Sequence, residues 1–251
     1  MFPKNENSHL ACECGKIAKL PFAPTVRDYC FCSVSRIEIN ADSSKLVGRP
    51  AGRYSSVFLG GFLKLEEEER REVAEKTAEE LAMLCRECVG NAKNKRALVV
   101  GLGNGGVTHD SLGARVCEKL SPDSGLYVFP IGVSGKSGIE SAELVKSIAI
   151  CAKAELVIAV DSLAARSEER VGRVIQLSDS GIAPGSGAGR DCGAVDMSSV
   201  GVPVISLGVP TALFVEKMSE RGYLMVGDEI LPLCEGAAEI IADAIRICFC
   251  D

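Results

Sequence analysis

Five short, nearly continuous apolar runs constrain the fold of this chain more than any other feature. They are 97–102 (ALVVGL), 126–131 (LYVFPI), 156–160 (LVIAV), 174–177 (VIQL) and 204–207 (VISL). Each has the length of a strand, and the stretches between them are long enough for crossover helices. A strand that buries both faces reads as such a run, and helices then cover both sides of a largely parallel sheet. The pattern therefore predicts an α/β chain: a three-layer α/β/α sandwich around a mostly parallel twisted sheet. Helical periodicity predicts further helices over 66–88, 108–120, 139–152 and 234–247. In the first of these, Val73, Thr77, Leu81, Leu84, Cys85 and Cys88 share one face.

Upstream, 35–40 (SRIEIN) alternates apolar and polar residues, as a half-buried strand does. Residues 54–59 form a second strand after the break at Gly48-Arg49-Pro50. These add a β-containing N-terminal elaboration. The first 32 residues lack periodicity and carry Pro3, Pro21 and Pro24, and read as an arm. The division expected is an arm, 1–32, and a single α/β domain, 33–251.

Composition narrows the function classes. The 251 residues are 47% hydrophobic and 25% charged, an ordinary globular balance. Net charge is -6 with no basic stripe, aromatics are 5% and Trp is absent, which argues against nucleic-acid partners. No apolar run approaches the ~20 residues that a membrane span needs. The first ten residues have no apolar core of signal-peptide type, so a cytoplasmic protein is expected. The twelve cysteines include the close pairs Cys12/Cys14, Cys30/Cys32, Cys85/Cys88 and Cys248/Cys250. A zinc site from the first two pairs would use C-x-C spacing without a histidine, so reduced, buried thiols are the expectation. No metal and no other cofactor is assigned.

In a parallel sheet, sites form beyond the carboxyl ends of the strands. Three segments rich in polar residues and glycine leave strands: 101–110 (GLGNGGVTHD), 159–166 (AVDSLAAR) and 178–189 (SDSGIAPGSGAG). Gly101, Gly103 and Gly106 satisfy a formal G-x-G-x-x-G, but the next strand ends without the acid that a dinucleotide pocket needs, so a tight turn is expected. Asp110 falls in the first turn of the helix expected from Thr108, its candidate N-cap, where the helix dipole favours an ionised carboxylate. Asp161 follows a strongly apolar strand whose surroundings should desolvate it and favour its protonated form. If their strands are neighbours, two carboxylates with opposed proton affinities face one crevice. That arrangement suits acid–base attack of water on a carbonyl, and the same pair could instead hold a metal. His109, Asn104 and Gly103 stand beside Asp110. Arg166 could pair with Asp161 or Asp179. Ser178, Asp179, Gly181, Gly185 and Ser186 would line the substrate cleft. Ser186 lacks a nucleophile elbow because Pro184 occupies the first glycine position.

At these segments the chain resembles the germination (spore) protease family. The similar stretches are VVGLGNGGVTHDSLGARV, VIAVDSLAARSEERVGRVIQLSDSGIAPGSGAGR and GVPVISLGVPTAL, with SRIEINADSSKLVGRPAGRYSSV upstream and GYLMVGDEI and AAEIIADAIRICF downstream. The resemblance implies a fold shared with hydrogenase maturation proteases. It also implies an endopeptidase acting on small acid-soluble spore proteins as a homotetramer, with Asp110 and Asp161 at the positions of the two essential aspartates. His109 stands where that family usually has Pro, and Ala183 where it often has His. An insertion expected between Thr211 and Gly222 is missing, and residues 1–32 do not look like a self-cleaved propeptide. Two other functions fit the same crevice: a metal-sensing processing protease, and a non-catalytic relative that binds a partner there.

Overall fold

The computed structural model describes residues 24–63, 65–123, 125–132, 137–185, 193–215 and 223–250. In chain order these form β1 (Thr25–Asp28), β2 (Cys32–Ile39), α1 (Ala41–Val47), β3 (Gly52–Leu59), α2 (Glu67–Val89), β4 (Ala97–Leu102), α3 (Leu112–Lys119), β5 (Leu126–Gly132), α4 (Ser141–Ala152), β6 (Leu156–Ala165), β7 (Val174–Ser178), α5 (Met197–Val200), β8 (Val204–Val215), β9 (Tyr223–Met225) and α6 (Ile230–Phe249). The strands make one sheet in the order β1-β2-β3-β7-β8-β6-β4-β5, with β9 pairing the far end of β8.

Alternation along the central strands creates the three layers. Ala97 and Val99 of β4 and Leu156, Ile158 and Val160 of β6 pack with α2, α3 and α6 on one face. Leu98, Val100 and Leu102, with Val157 and Ala159, pack with Val145 and Ala149 of α4 and Val200 of α5 on the other. Both faces are dry, so period-2 alternation of burial vanishes from the sequence and the strands read as unbroken apolar runs. Residues 73, 74, 77, 78, 81, 84 and 85 of α2 are buried, as the helical periodicity requires, and Cys88 is half-buried.

The α/β architecture with helices on both faces is the one expected, but the sheet is mixed. Strands β5, β4, β6 and β8 are parallel. Strand β7 is antiparallel to β8, and β3, β2 and β1 continue antiparallel from it. An apolar run says nothing about the direction of its strand, which is why 174–177 read as another parallel strand, nor about its place in the sheet: β5, over the run 126–131, is an edge strand with Tyr127 and Phe129 exposed. Residues 25–28, placed in the arm by the sequence reading, form β1 and pair with Ser33–Arg36. The predicted helix over 108–120 divides into a 3-10 turn, Thr108–Asp110, and α3. Thr108 is therefore not a helix N-cap: Val107 precedes the turn and Ser111 precedes α3. Strands β6 and β8 also run well past their apolar runs, through Asp161 and Thr211, because backbone pairing continues where side-chain hydrophobicity stops.

Candidate active site

The chain leaves β4 through α3 to β5 on one side, then returns through α4 to β6 on the other side of β4. The strand order thus reverses between β4 and β6. In open α/β sheets, the crevice outside the carboxyl ends of two such strands is where ligands bind.

Asp161 lies inside β6 rather than at its end, opposite Gly208 of β8. The last β6 residue paired with β4 is Val160, opposite Gly101, so Asp161 occupies the point where β4 turns away. Its neighbour Gly208 leaves room: a Cβ there would come within 2.7 Å of the Leu163 side chain and 2.9 Å of the Asp161 carbonyl. Asp161 is only 3% exposed. Burial, and next the charge of Asp110, push its carboxyl up to about 8 from an ordinary 3.8, against a lowering by the Ser162 N–H. That N–H donates to Asp161 Oδ1 at 2.9 Å. Asp161 therefore holds a proton at neutral pH, and the Asp110 charge acts directly on it.

Asp110 is half-buried in the 3-10 turn between β4 and α3. Gly103, with φ +87°, starts that loop in the left-handed region, and a Cβ there would lie 2.3 Å from the Asp110 carbonyl. Only glycine fits this turn. The backbone then presents the Asn104 N–H to Asp110 Oδ2 at 2.9 Å, while Asn104 Oδ1 accepts from the Gly106 N–H at 3.1 Å. The formal glycine motif thus folds as a carboxylate cradle. Gly101 serves a different purpose, letting α3 approach β4: a Cβ on it would meet the Gly113 carbonyl at 2.2 Å. The helix-dipole argument for Asp110 loses force, since the residue lies before α3 in a separate three-residue turn.

Asp110, Asp161, Gly103, Asn104 and the backbone of His109 come together here. Arg166 is exposed, just past the carboxyl end of β6. Ser178 and Asp179 lie elsewhere, because β7 runs against β8 and its end points away from Asp161. Ser178 pairs with Ser206, two residues down the register from the Asp161–Gly208 pair. The Ser178 and Ser180 hydroxyls share a bond of 2.7 Å, and Ser180 donates to the Tyr54 hydroxyl at 2.9 Å. Asp179 accepts from the Arg53 backbone N–H at 2.6 Å and forms an ion pair with the Arg53 guanidinium at 3.4 Å. Beyond that network the loop turns back over the sheet, where Gly181 packs against Val195–Asp196 and Ile182 against Leu163 and Ala165. Gly185 lies at its end, and Ser186 lies outside the described residues, as do Cys12 and Cys14. Among the described residues, no three or more His, Cys, Asp or Glu side chains are grouped to hold a metal, and no helix is long and apolar enough to cross a membrane.

Three residues of this site were not singled out from the sequence. Ser162 Oγ accepts from the Leu112 N–H at 3.4 Å and joins α3 to β6. Thr211 Oγ1 donates to the His109 carbonyl at 2.5 Å. Cys234 Sγ donates to the Thr108 carbonyl at 3.4 Å. Thr211 lies past the strand expected at 204–207 and Cys234 at the first position of the helix expected over 234–247, and only the folded chain places them against the turn.

The fold and site thus define an α/β protein with two carboxylates, Asp110 and Asp161, at the switch point of its sheet. The profile of the family described as germination protease matches residues 27–222, and the chain belongs to that family. It is 38% identical over 196 residues to the germination protease of Oceanobacillus iheyensis, covering 72% of this chain and 53% of that one. The Bacillus subtilis germination protease is 34% identical over 207 residues, 76% and 56% of the two chains. That of Clostridium perfringens strain ATCC 13124 is 33% identical over 222 residues, 82% and 67%. The chain thus spans little more than half the length of the first two relatives. Among solved structures, a [NiFe] hydrogenase maturation protease, HycI from Thermococcus kodakarensis KOD1, aligns with a TM-score of 0.41 at 20% identity, over 61% of this chain and 93% of that one.

Proposed function

We propose that this chain is an endopeptidase of the germination protease type, in which Asp110 and Asp161 hydrolyse a peptide bond without a covalent intermediate. One observation carries the reading: a buried, protonated carboxyl set against a second, half-buried one at the crevice where the strand order reverses. Two adjacent carboxylates of unequal proton affinity are what general acid–base catalysis requires. The half-buried Asp110 carboxylate takes a proton from water as the water oxygen attacks the scissile carbonyl carbon. Asp161 then gives its proton to the amide nitrogen as the C–N bond breaks. Transfer of a proton from Asp110 to Asp161 restores the starting state. Asn104 and the Gly103–Gly106 backbone hold the base in place.

The family resemblance supports small acid-soluble spore proteins as substrates, a homotetrameric assembly and a cytoplasmic location. Incubating the protein with a purified small acid-soluble spore protein and reading the fragments by mass spectrometry tests the reading. Limited cuts, lost in both Asp110→Asn and Asp161→Asn while both variants stay folded, are the expected result. Full activity in either variant would refute the assignment.

A further inference from the structure

We propose that Thr211 is a positioning residue, whose hydroxyl, aimed by a β-bulge in β8, sets Asp110 against Asp161. This rests on the proposed roles of the two aspartates and adds a third group to them.

The argument begins with the register of β8 on β6. Leu163 lies opposite Pro210 and Ala164 opposite Ala212, so Thr211 is the extra residue of a bulge. Bulges gather beside active sites, where they re-aim a side chain. Thr211 is 1% exposed, and apart from Ser206 the other residues of its strand are apolar or glycine. A buried hydroxyl is unfavourable unless it finds a partner. Here the partner is the carbonyl of His109, at 2.5 Å.

That carbonyl belongs to the peptide unit whose nitrogen is that of Asp110. The N–H of the same unit donates to the Val107 carbonyl at 2.8 Å. The plane carrying Asp110 is therefore held at both of its polar atoms. One residue earlier, the Thr108 carbonyl accepts from Ser111 Oγ at 2.7 Å and from Cys234 Sγ at 3.4 Å. With the Asn104 N–H on Oδ2, both the backbone and the carboxylate of Asp110 are tied down. Of these ties, Thr211 is the one that reaches the turn from the sheet, from the strand next to the one bearing Asp161. Valine would fill the same space in a strand at least as well, so the hydroxyl adds nothing to packing. Its effect is on the spacing of the two carboxylates.

The test compares Thr211→Val, which keeps the shape and removes the hydroxyl, with Thr211→Ser, which keeps the hydroxyl. Three quantities are read: kcat and KM for a spore-protein substrate, the thermal midpoint, and the infrared carbonyl band of the protonated Asp161 carboxyl followed with pH. That band is assigned by its loss in Asp161→Asn. In Thr211→Val, kcat should fall roughly ten- to a hundredfold, the scale of a ~1 Å misplacement, with KM unchanged. The Asp161 titration should move to lower pH as the Asp110 charge withdraws. His109 on the same turn and Arg166 past β6 are unaltered in this comparison. Thr211→Ser should recover both quantities. Where Val crowds the bulge and the chain fails to fold, Thr211→Ala carries the same comparison. A wild-type kcat and an unmoved titration in Thr211→Val, or a Thr211→Ser variant as impaired as it, would overturn the proposal. A wild-type protein that cleaves nothing would remove the proposed activity, while the infrared titration would still decide the role of Thr211.

Discussion

Replacing Asp161 with Asn should remove the proposed activity and stabilise the protein, by an amount that depends on pH. The side chain is buried and keeps its proton up to about pH 8 in the folded chain, whereas in the unfolded chain it titrates near 3.8. Between those values the unfolded state releases a proton that the folded state retains, so stability falls as pH rises. At pH 7 the difference amounts to about 4 kcal/mol, from ~1.36 kcal/mol per pH unit above the unfolded value. Asparagine has nearly the same shape, can still accept the Ser162 N–H and has no proton to lose, so it escapes this penalty. For a chain of this length each kcal/mol shifts the melting temperature by roughly 2–4 °C, so the gain at pH 7 should be on the order of 10 °C. Calorimetric melting of both proteins from pH 4 to pH 9 checks it. The two curves should nearly coincide at pH 4, diverge through neutrality and run parallel above pH 8. A gap independent of pH, or a variant less stable throughout, would show that Asp161 is not a buried acid and would remove the basis for its role as proton donor.

Three further outcomes follow from the same geometry. The cleavage rate should fall as pH rises through about 8, where Asp161 loses its proton, and a rate still climbing at pH 9 would contradict the assignment. Gly103→Ala, which places a Cβ 2.3 Å from the Asp110 carbonyl at φ +87°, should abolish cleavage and lower stability by about 1–3 kcal/mol, measured by urea titration. Dialysis against a chelator should leave cleavage intact; a loss that an added divalent ion reverses would move the aspartates to a metal-sensing role.

The comparison of sequence with structure shows where local pattern suffices. The five apolar runs appear as strands β4, β5, β6, β7 and β8; in β4, β6, β7 and β8 the residues are buried on both faces, and that burial is written into composition, whereas β5 is an edge strand with Tyr127 and Phe129 exposed. Helix α2 spans 67–89 against an expected 66–88, since its buried face and its terminal glycine are local signals. The carboxylate pair was also legible. Asp110 follows a glycine-rich exit from one strand, and Asp161 follows a run of five apolar residues. The cleft loop was legible only in part. Ser178 and Asp179 look as site-like as Asn104, but the direction of β7 sends them into a separate network with Tyr54 and Arg53.

The amino-acid sequence by itself determined which segments pair or coil and which two acids stand near strand ends, because these depend on the hydrophobicity and backbone freedom of neighbouring residues. Tertiary structure alone decided that β7 runs antiparallel, that Asp161 lies within a strand with the charge of Asp110 acting on it, and that the Thr211 hydroxyl meets the turn bearing Asp110. Those properties arise from the desolvation, charge and hydrogen bonding that residues about a hundred positions apart, such as His109 and Thr211, impose on one another once packed. Proton affinity and register are set by what surrounds a residue in space, which no window along the chain contains.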